Sequence, residues 1–386
     1  ERAVSEIKKA EELYSLESRT FLESTGIYHF PLFCYLVDCG FNASIINPII
    51  THSTKNGNIR KVKNDKIDSK GIAKLGLSKD IPVSQFPAKL VLELRSLTRK
   101  YYDLTDERSA HINKLKGDLH TVFPQYLDVF CDVTGKTSTM ILRQYGTPDK
   151  ILRGHKKTMI EKISKASRKG LAKASERYEK LCAAANAAKT FGCQIDSIYF
   201  NIFLTLDLVE KLDSALDSIL NRIRQLITFN KNEKFIQQIK LLNTIPGVGF
   251  LTAVTIMCEI GDFSAFRNPK QLFAYFGLDP EVNESGKFVG TQLHMSKRGS
   301  RIARRAIFAV ALASIRTKRN GEGINPYLRK YYELKSGQKP KMVAIGAVMH
   351  KVCNIVFAVL RDEKAFELRS PEEHCKQYQR PALAAA

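Results

Sequence analysis

Between Leu90 and Phe123 the apolar residues return at three- and four-residue intervals. Leu90, Leu94, Leu97, Tyr101 and Leu104 lead to Arg108, after which Ile112, Leu115, Leu119 and Val122 resume the row; charges fill much of the rest, and Pro124 closes the segment. That period belongs to one helix with a continuous apolar stripe, and at ~1.5 Å per residue it spans about 50 Å. A second long row runs through Ile198, Ile202, Val209, Leu212, Leu216, Ile219, Ile223 and Leu226 to Asn230-Lys231-Asn232. Two stripes of this length are expected to pack on each other as coiled-coil helices. Period does not say whether the partner is the same chain or another protomer. The pair divides the sequence into residues 1–86, the helices with an insert over 87–238, a further domain over 239–366 and a tail over 367–386.

With 386 residues the chain can form two or three domains, and a hydrophobic content of 44% argues against global disorder. Sixty-one Lys and Arg against 39 Asp and Glu give +22 at pH 7 and a pI near 9.6. Such a field attracts polyanions; nucleic acid, ribosome and anionic membrane surface all satisfy it. The basic stretch 135–194 contains a helical pattern over Leu171–Ala188. It reads equally as an accessory insert touching nucleic acid or as a solvated basic surface. The eight Cys are scattered without a C-x-x-C pair, so neither a zinc site nor a disulfide framework is indicated, and small buried residues in a reducing cytosol are expected. Neither a signal peptide nor an apolar run of the ~18–20 residues needed for a membrane span is expected.

Near the amino terminus, Phe21 and Leu22 precede Glu23, a turn at Ser24-Thr25-Gly26, and a helix carrying Leu32, Leu36 and Val37. A strand over Ala43–Ile46 ends at Asn47-Pro48. Glu23 thus stands where a strand passes into a helix, the edge at which open α/β sheets hold ligands. Residues Lys61–Ser69, KVKNDKIDS, then set Asp65 and Asp68 three positions apart, on one helical face, with Arg60, Lys61 and Lys63 beside them. Carboxylates for a metal amid cations for a phosphate suit a nucleic-acid site. The order strand, helix, strand, basic loop, acidic helix fits a fragment of a ribonuclease-H-like α/β domain. Separately, Glu23 also reads as a turn acid and the Asp pair as a solvated face.

Downstream, Pro246-Gly247-Val248-Gly249 between two apolar helices has the pattern of a helix-hairpin-helix, in which Gly247 and Gly249 would let backbone N–H groups approach a phosphate. A helix is expected from Asn268-Pro269 to Phe276. Ser285, before Gly286, falls in a segment expected to be a loop. Lys297, Arg298, Arg301, Arg304 and Arg305 lead into an apolar helix over Ile302–Ile315. A loop serine beside a cationic helix start suits a nucleophile whose phosphoryl adduct is held by arginines; a turn serine beside a phosphate-contacting helix is the plainer reading. A Tyr-rich basic helix (Tyr327, Tyr331, Tyr332, Lys335) offers stacking faces or core tyrosines, a last apolar helix covers 341–360, and PALAAA closes the sequence.

Together the strings ESTGIYHFPL, INP, RKVKNDKIDSKGIAKL, IPGVGFLTA, FRNPKQLFAYFGLDP, ESGK and SKRGSRIARRA occur in the order that resembles transposases of the insertion-sequence one-hundred-and-ten family and the related Piv-type DNA invertases. The resemblance covers roughly residues 15–125 and 239–360. It implies an α/β plus α fold, with a RuvC-like amino-terminal domain bearing a DEDD carboxylate set and a mostly helical carboxy-terminal domain with an essential serine. It further implies recombination through a serine–DNA link, Mg2+, donor and target DNA, a structured bridge RNA as guide, a homo-oligomer (dimer or tetramer), no membrane, and a prokaryotic cytoplasmic setting near the nucleoid. Carried over by motif, Glu23 matches the family Glu, Asp65 and Asp68 its last two Asp, and Ser285 its nucleophile, with Ser296 in SKRG as the fallback. The family's first Asp sits on an opening strand, whereas ERAVSEIKKAEELY is helical and charged, and Asp38 lies on the wrong side of Glu23. That strand is expected to precede the given sequence, which as it stands should be a poor catalyst. A RuvC-like nuclease using water and a non-catalytic nucleic-acid-binding relative are the competing classes.

Overall fold

Parallel strands need a crossover, and the first unit of the chain supplies one within 28 residues. The structure is a computed structural model describing residues 2–23, 28–46, 65–78, 88–191, 193–280, 284–285, 288–289 and 294–373. It divides into two units, 1–88 and 89–386. In the first, helix α1 (Arg2–Tyr14) is followed by β1 (Arg19–Glu23), α2 (His29–Asp38), β2 (Asn42–Ile46) and α3 (Asp65–Ser78). The strands pair in parallel from Arg19 opposite Asn42 to Glu23 opposite Ile46. Gly40, at φ +86°, makes the turn out of α2 without a Cβ penalty. Phe33, Leu36 and Ala43 form the buried centre, with Val4 and Ile7 of α1 packed against it. Helix, strand, helix and strand therefore fall where periodicity places them, with the strand beginning one residue before the expected Ala43.

The second unit begins with α4 (Lys89–Val122) and includes α10 (Asp196–Phe229), each of 34 residues. Between them lie α5 (Tyr126–Val129), α6 (Lys136–Gln144), α7 (Pro148–Arg153), α8 (Lys156–Ser167) and α9 (Leu171–Phe191). After α10 come α11 (Lys234–Leu242), α12 (Phe250–Ile260), α13 (Pro269–Tyr275), the two-residue strands β3 (Glu284–Ser285) and β4 (Phe288–Val289), α14 (Arg301–Ser314), α15 (Pro326–Ser336) and α16 (Lys341–Asp362). The long helices pack on each other antiparallel within the chain. Leu94 near the start of α4 shares a core with Ile223 and Leu226 near the end of α10; Leu115 and Leu119 share another with Ile202 and Leu206. At their middle the Arg108 guanidinium grips both oxygens of Asp213, which accounts for a charge inside the apolar row.

Helix starts follow the capping chemistry of the sequence. Asn268 accepts from the Gln271 amide at 3.0 Å and Asn325 from Leu328 at 3.1 Å, each followed by proline at the first helical position. Ser300 accepts from Ala303 at 3.1 Å to open the arginine-rich α14. One expectation is overturned: α16 is long and apolar enough, by length and composition, to cross a membrane. Its Ile345, Val348, Val352, Val356 and Leu360 are buried in the core built around α12 and α14, so its apolarity serves protein packing.

Candidate functional site

In the first unit Glu23 is the last residue of β1, and Asp65 and Asp68 occupy the first turn of α3. Helix α3 lies against β1. A Cβ on Gly76 would come within 2.3 Å of the Phe21 ring, so glycine permits the close approach. Strand end and acidic helix thus belong to one packed α/β element. Arg60, Lys61 and Lys63 lie outside the described residues, as does the Asp65 side chain. Among the described residues no three His, Cys, Asp or Glu side chains converge as a metal site. The donor set is carboxylate throughout, and such hard oxygens suit a divalent ion of the Mg2+ kind.

In the second unit Ser285 stands in a hairpin arm, paired antiparallel with Phe288, and not in the loop expected of it. The segment carrying it leaves and rejoins the body through a clasp. Pro280 bridges Met295, the Ser296 amide donates to the Asp279 carbonyl at 2.8 Å, and the Lys297 amide donates to the Gly277 carbonyl at 3.0 Å. The Ser296 hydroxyl donates to Asp279 Oδ1 at 2.6 Å, so the fallback nucleophile is a member of the clasp. Beneath it two glycines cross. Gly277 has φ +66°, and a Cβ on Gly299 would fall 2.0 Å from the Tyr275 carbonyl oxygen.

Arg304, expected among the phosphate clamps, closes this crossing. Its Nη1 donates to the carbonyls of Phe276 (3.2 Å), Lys297 (3.2 Å) and Gly299 (2.7 Å), and burial lowers its pKa. Arg305 pairs with Asp106 at 2.7 Å and lies 4.8 Å over the Tyr102 ring. Arg301 reaches the same carboxylate at 3.3 Å while its side chain stays 80% exposed. Lys297 and Arg298 are exposed. At the proposed hairpin turn, Gly247 (φ +98°) faces inward: a Cβ there would meet Ser314 Oγ at 2.4 Å, and that hydroxyl donates to the Pro246 carbonyl at 2.9 Å. Gly249 has open space on its Cβ side.

The least anticipated residue is Glu259. Only 3% exposed, it receives Arg99 through two bonds of 2.8 and 3.0 Å and Ser300 Oγ at 2.7 Å. Arg95 ties to the neighbouring Cys258 carbonyl at 2.7 Å, and Tyr275 donates to the Glu259 carbonyl at 3.1 Å. This network joins α4, α12, α13 and the cap of α14, the elements that fix both ends of the clasp. The available signal was a lone acid ending the apolar run FLTAVTIMCEI, since a buried charge must be matched.

Residues 1–124 match a transposase family of the DEDD type of IS110, and residues 239–333 match the transposase IS116/IS110/IS902 family. Similar proteins include the IS110 insertion-element 43.6 kDa protein of Streptomyces coelicolor, 23% identical over 73% of this chain and 66% of that one. The pilin gene-inverting protein of Moraxella bovis is 30% identical over 46% of this chain and 52% of its own length. The transposase for insertion sequence element IS1111A of Coxiella burnetii is 26% identical over 47% and 50%. The first matched region covers the whole of the first unit and continues through α4 of the second, and the second matched region lies wholly within the second unit. The chain belongs to the IS110 family. It spans about half to two thirds of the length of these relatives.

Proposed function

We propose that the chain is a DNA recombinase that cleaves and rejoins strands through a serine–phosphate link, built on a RuvC-like unit and a transposase unit with a helix-hairpin-helix. The observation that carries the reading is the presence, in family order, of both transposase regions in one chain. The names of the relatives, a transposase and a gene-inverting protein, agree with it. Ser285 is the nucleophile. Its oxygen bonds to phosphorus, the bond from phosphorus to the 3′-oxygen breaks, and the hydroxyl proton ends on the departing oxygen. The retained phosphodiester lets a 3′-hydroxyl of another strand reverse the step, so no nucleotide is consumed. Ser296 holds the clasp. Glu23, Asp65 and Asp68 are the ligands for Mg2+, which when bound neutralises phosphate oxygens as a Lewis acid.

Lys297, Arg298, Arg301 and Arg305 grip phosphates, the basic set Arg60, Lys61 and Lys63 does so beside the carboxylates, and the Gly249 turn offers backbone donors. A structured bridge RNA pairing with donor and target DNA supplies sequence choice, with the protein reading shape in a homo-oligomer. The test is a denaturing gel with labelled DNA spanning the element's own ends and its flanking transcript. Wild-type full-length protein should become covalently attached to DNA, with the adduct peptide mapping to Ser285, and Ser285→Ala should abolish it. Cleavage by Ser285→Ala at the wild-type rate, or an adduct on Ser296, overturns the assignment.

A further inference from the structure

The stretch between the two matched family regions, residues 125–238, contains a sub-bundle with its own core. Tyr126, Ile141, Leu142, Met159, Ile163, Leu181 and Ala185 are all buried there, apart from the core around α12 and α16. From Pro148 to Phe191 this sub-bundle carries twelve Lys and Arg against four Asp and Glu, and the excess is not evenly spread. Some of the cations on its α6, α7 and α10 sides are matched: Arg143 meets Asp207 and Glu210 at 2.7 and 2.8 Å, and Lys189 meets Asp149 at 2.6 Å. At the α8–α9 turn they are not. Lys165, Arg168, Lys169 and Lys173 are exposed, and none has a carboxylate within salt-bridge distance among the described residues.

The turn is also shaped. Arg168 (φ +54°) and Gly170 (φ +81°) reverse the chain between α8 and α9, and behind them opens a cleft of about 170 Å3. Lys169, Lys173, Arg177 and Lys180 line it, with Ser167 and two acids, Asp128 and Glu176. Glu176 is taken by Lys180 at 2.7 Å, and the Arg177 guanidinium is stacked 5.5 Å from the Phe130 ring. Lys169 and Lys173 thus face a concave, cation-rich surface where like charges repel. The first turn of α9 holds no acid, so its dipole adds to the positive field.

We propose that this α8–α9 turn is an auxiliary nucleic-acid grip that binds the phosphodiester backbone without reading bases. It rests on the reading of the chain as a recombinase only for its biological setting, since the binding itself requires no catalysis. The experiment compares the full chain with a variant carrying Lys165→Gln, Arg168→Gln, Lys169→Gln and Lys173→Gln. A control removes four exposed lysines elsewhere: Lys8→Gln, Lys211→Gln, Lys231→Gln and Lys339→Gln. Fluorescence anisotropy across a salt series is read for two probes, a random-sequence DNA duplex and a base-paired RNA hairpin. Each lost phosphate contact should lower the log–log salt slope by about 0.9 on duplex DNA. The turn variant is therefore expected to lose about tenfold or more in affinity and two or more in slope on at least one probe, well beyond the control.

Loss on DNA alone, on RNA alone or on both names the nucleic acid held; equal behaviour of turn variant and control on both probes overturns the proposal. Lysine acetylation footprinting of wild-type protein gives a readout independent of any variant's folding. Lys165, Lys169 and Lys173 should be protected by the bound probe, and unchanged reactivity would also sink the idea. A turn variant that binds normally while wild type still forms the Ser285 adduct rejects the grip and leaves the recombinase reading standing. Weakened binding without any adduct in wild type does the reverse.

Discussion

A carboxylate as buried as Glu259 persists only if its charge is answered, and its titration should report that. Burial raises its pKa, but the bonds from Arg99 and Ser300 and the Arg99 charge outweigh this and leave it below the ordinary value of 4.5. A depressed folded pKa means stability present above the unfolded value and lost as pH falls through the folded one. Replacing the acid by its isostere should therefore flatten the acid limb of the stability curve. Glu259→Gln is expected to cost about 1–3 kcal/mol at neutral pH through the lost charge-assisted bonds, and its thermal midpoint should converge on wild type as the pH falls from neutral to below 4.5. A constant gap between the two melting curves across that range would show that the Arg99 pairing does not hold the carboxylate down. This residue was hidden from sequence reading because its partners stand 160 and 41 positions away. Arg304 was misread for a related reason: a guanidinium turned onto three carbonyls looks, in sequence, like any cation at a helix start.

At the scale of elements, the long helices were legible because burial on one face imposes a period that composition cannot hide, and because Asn-Pro and Ser caps announce the helix starts. What was not legible was the short hairpin carrying Ser285. Two residues per strand leave no alternation to read. The inward use of Gly247 depends on Ser314, which arrives from a distant helix. The same elements separate packing from charge in the α4–α10 pair. Leu115 is fully buried, and its truncation to alanine should cost about 2–5 kcal/mol by removing apolar contacts and leaving a cavity. The Arg108–Asp213 pair keeps 30% and 46% of its side-chain surface exposed, so Asp213→Asn should cost less than about 1 kcal/mol. Urea unfolding of both variants decides it. If the charge substitution proves the costlier, the long helices are held by their ion pair and the apolar stripe is secondary.

For the whole molecule, binding and chemistry should come apart. A net charge of +22, all but +2 of it in the second unit, gives a polyanion affinity to which any one side chain contributes little. The proposed chemistry, by contrast, rests on a few oxygens: Ser285 Oγ for the attack and the carboxylates of Glu23 and Asp68 for the metal. Glu23→Gln and Asp68→Asn each remove one negative charge from a basic protein, which cannot weaken attraction to phosphate and should strengthen it slightly. Both variants, and Ser285→Ala, are therefore expected to hold DNA within about twofold of wild type at moderate salt, with the same steep salt dependence. Covalent attachment should be lost in Ser285→Ala and fall by at least about a hundredfold in the carboxylate variants, the scale on which losing preorganised charge stabilisation slows a reaction. The measurement pairs anisotropy with the denaturing-gel assay on the same preparations of the full-length protein. Wild-type adduct rates in Glu23→Gln and Asp68→Asn would remove the first unit's carboxylates from the chemistry and leave the family's metal site to other residues. A parallel collapse of binding and attachment would instead mean that these side chains hold the α/β element together, as the packing of α3 on β1 through Gly76 and Phe21 allows.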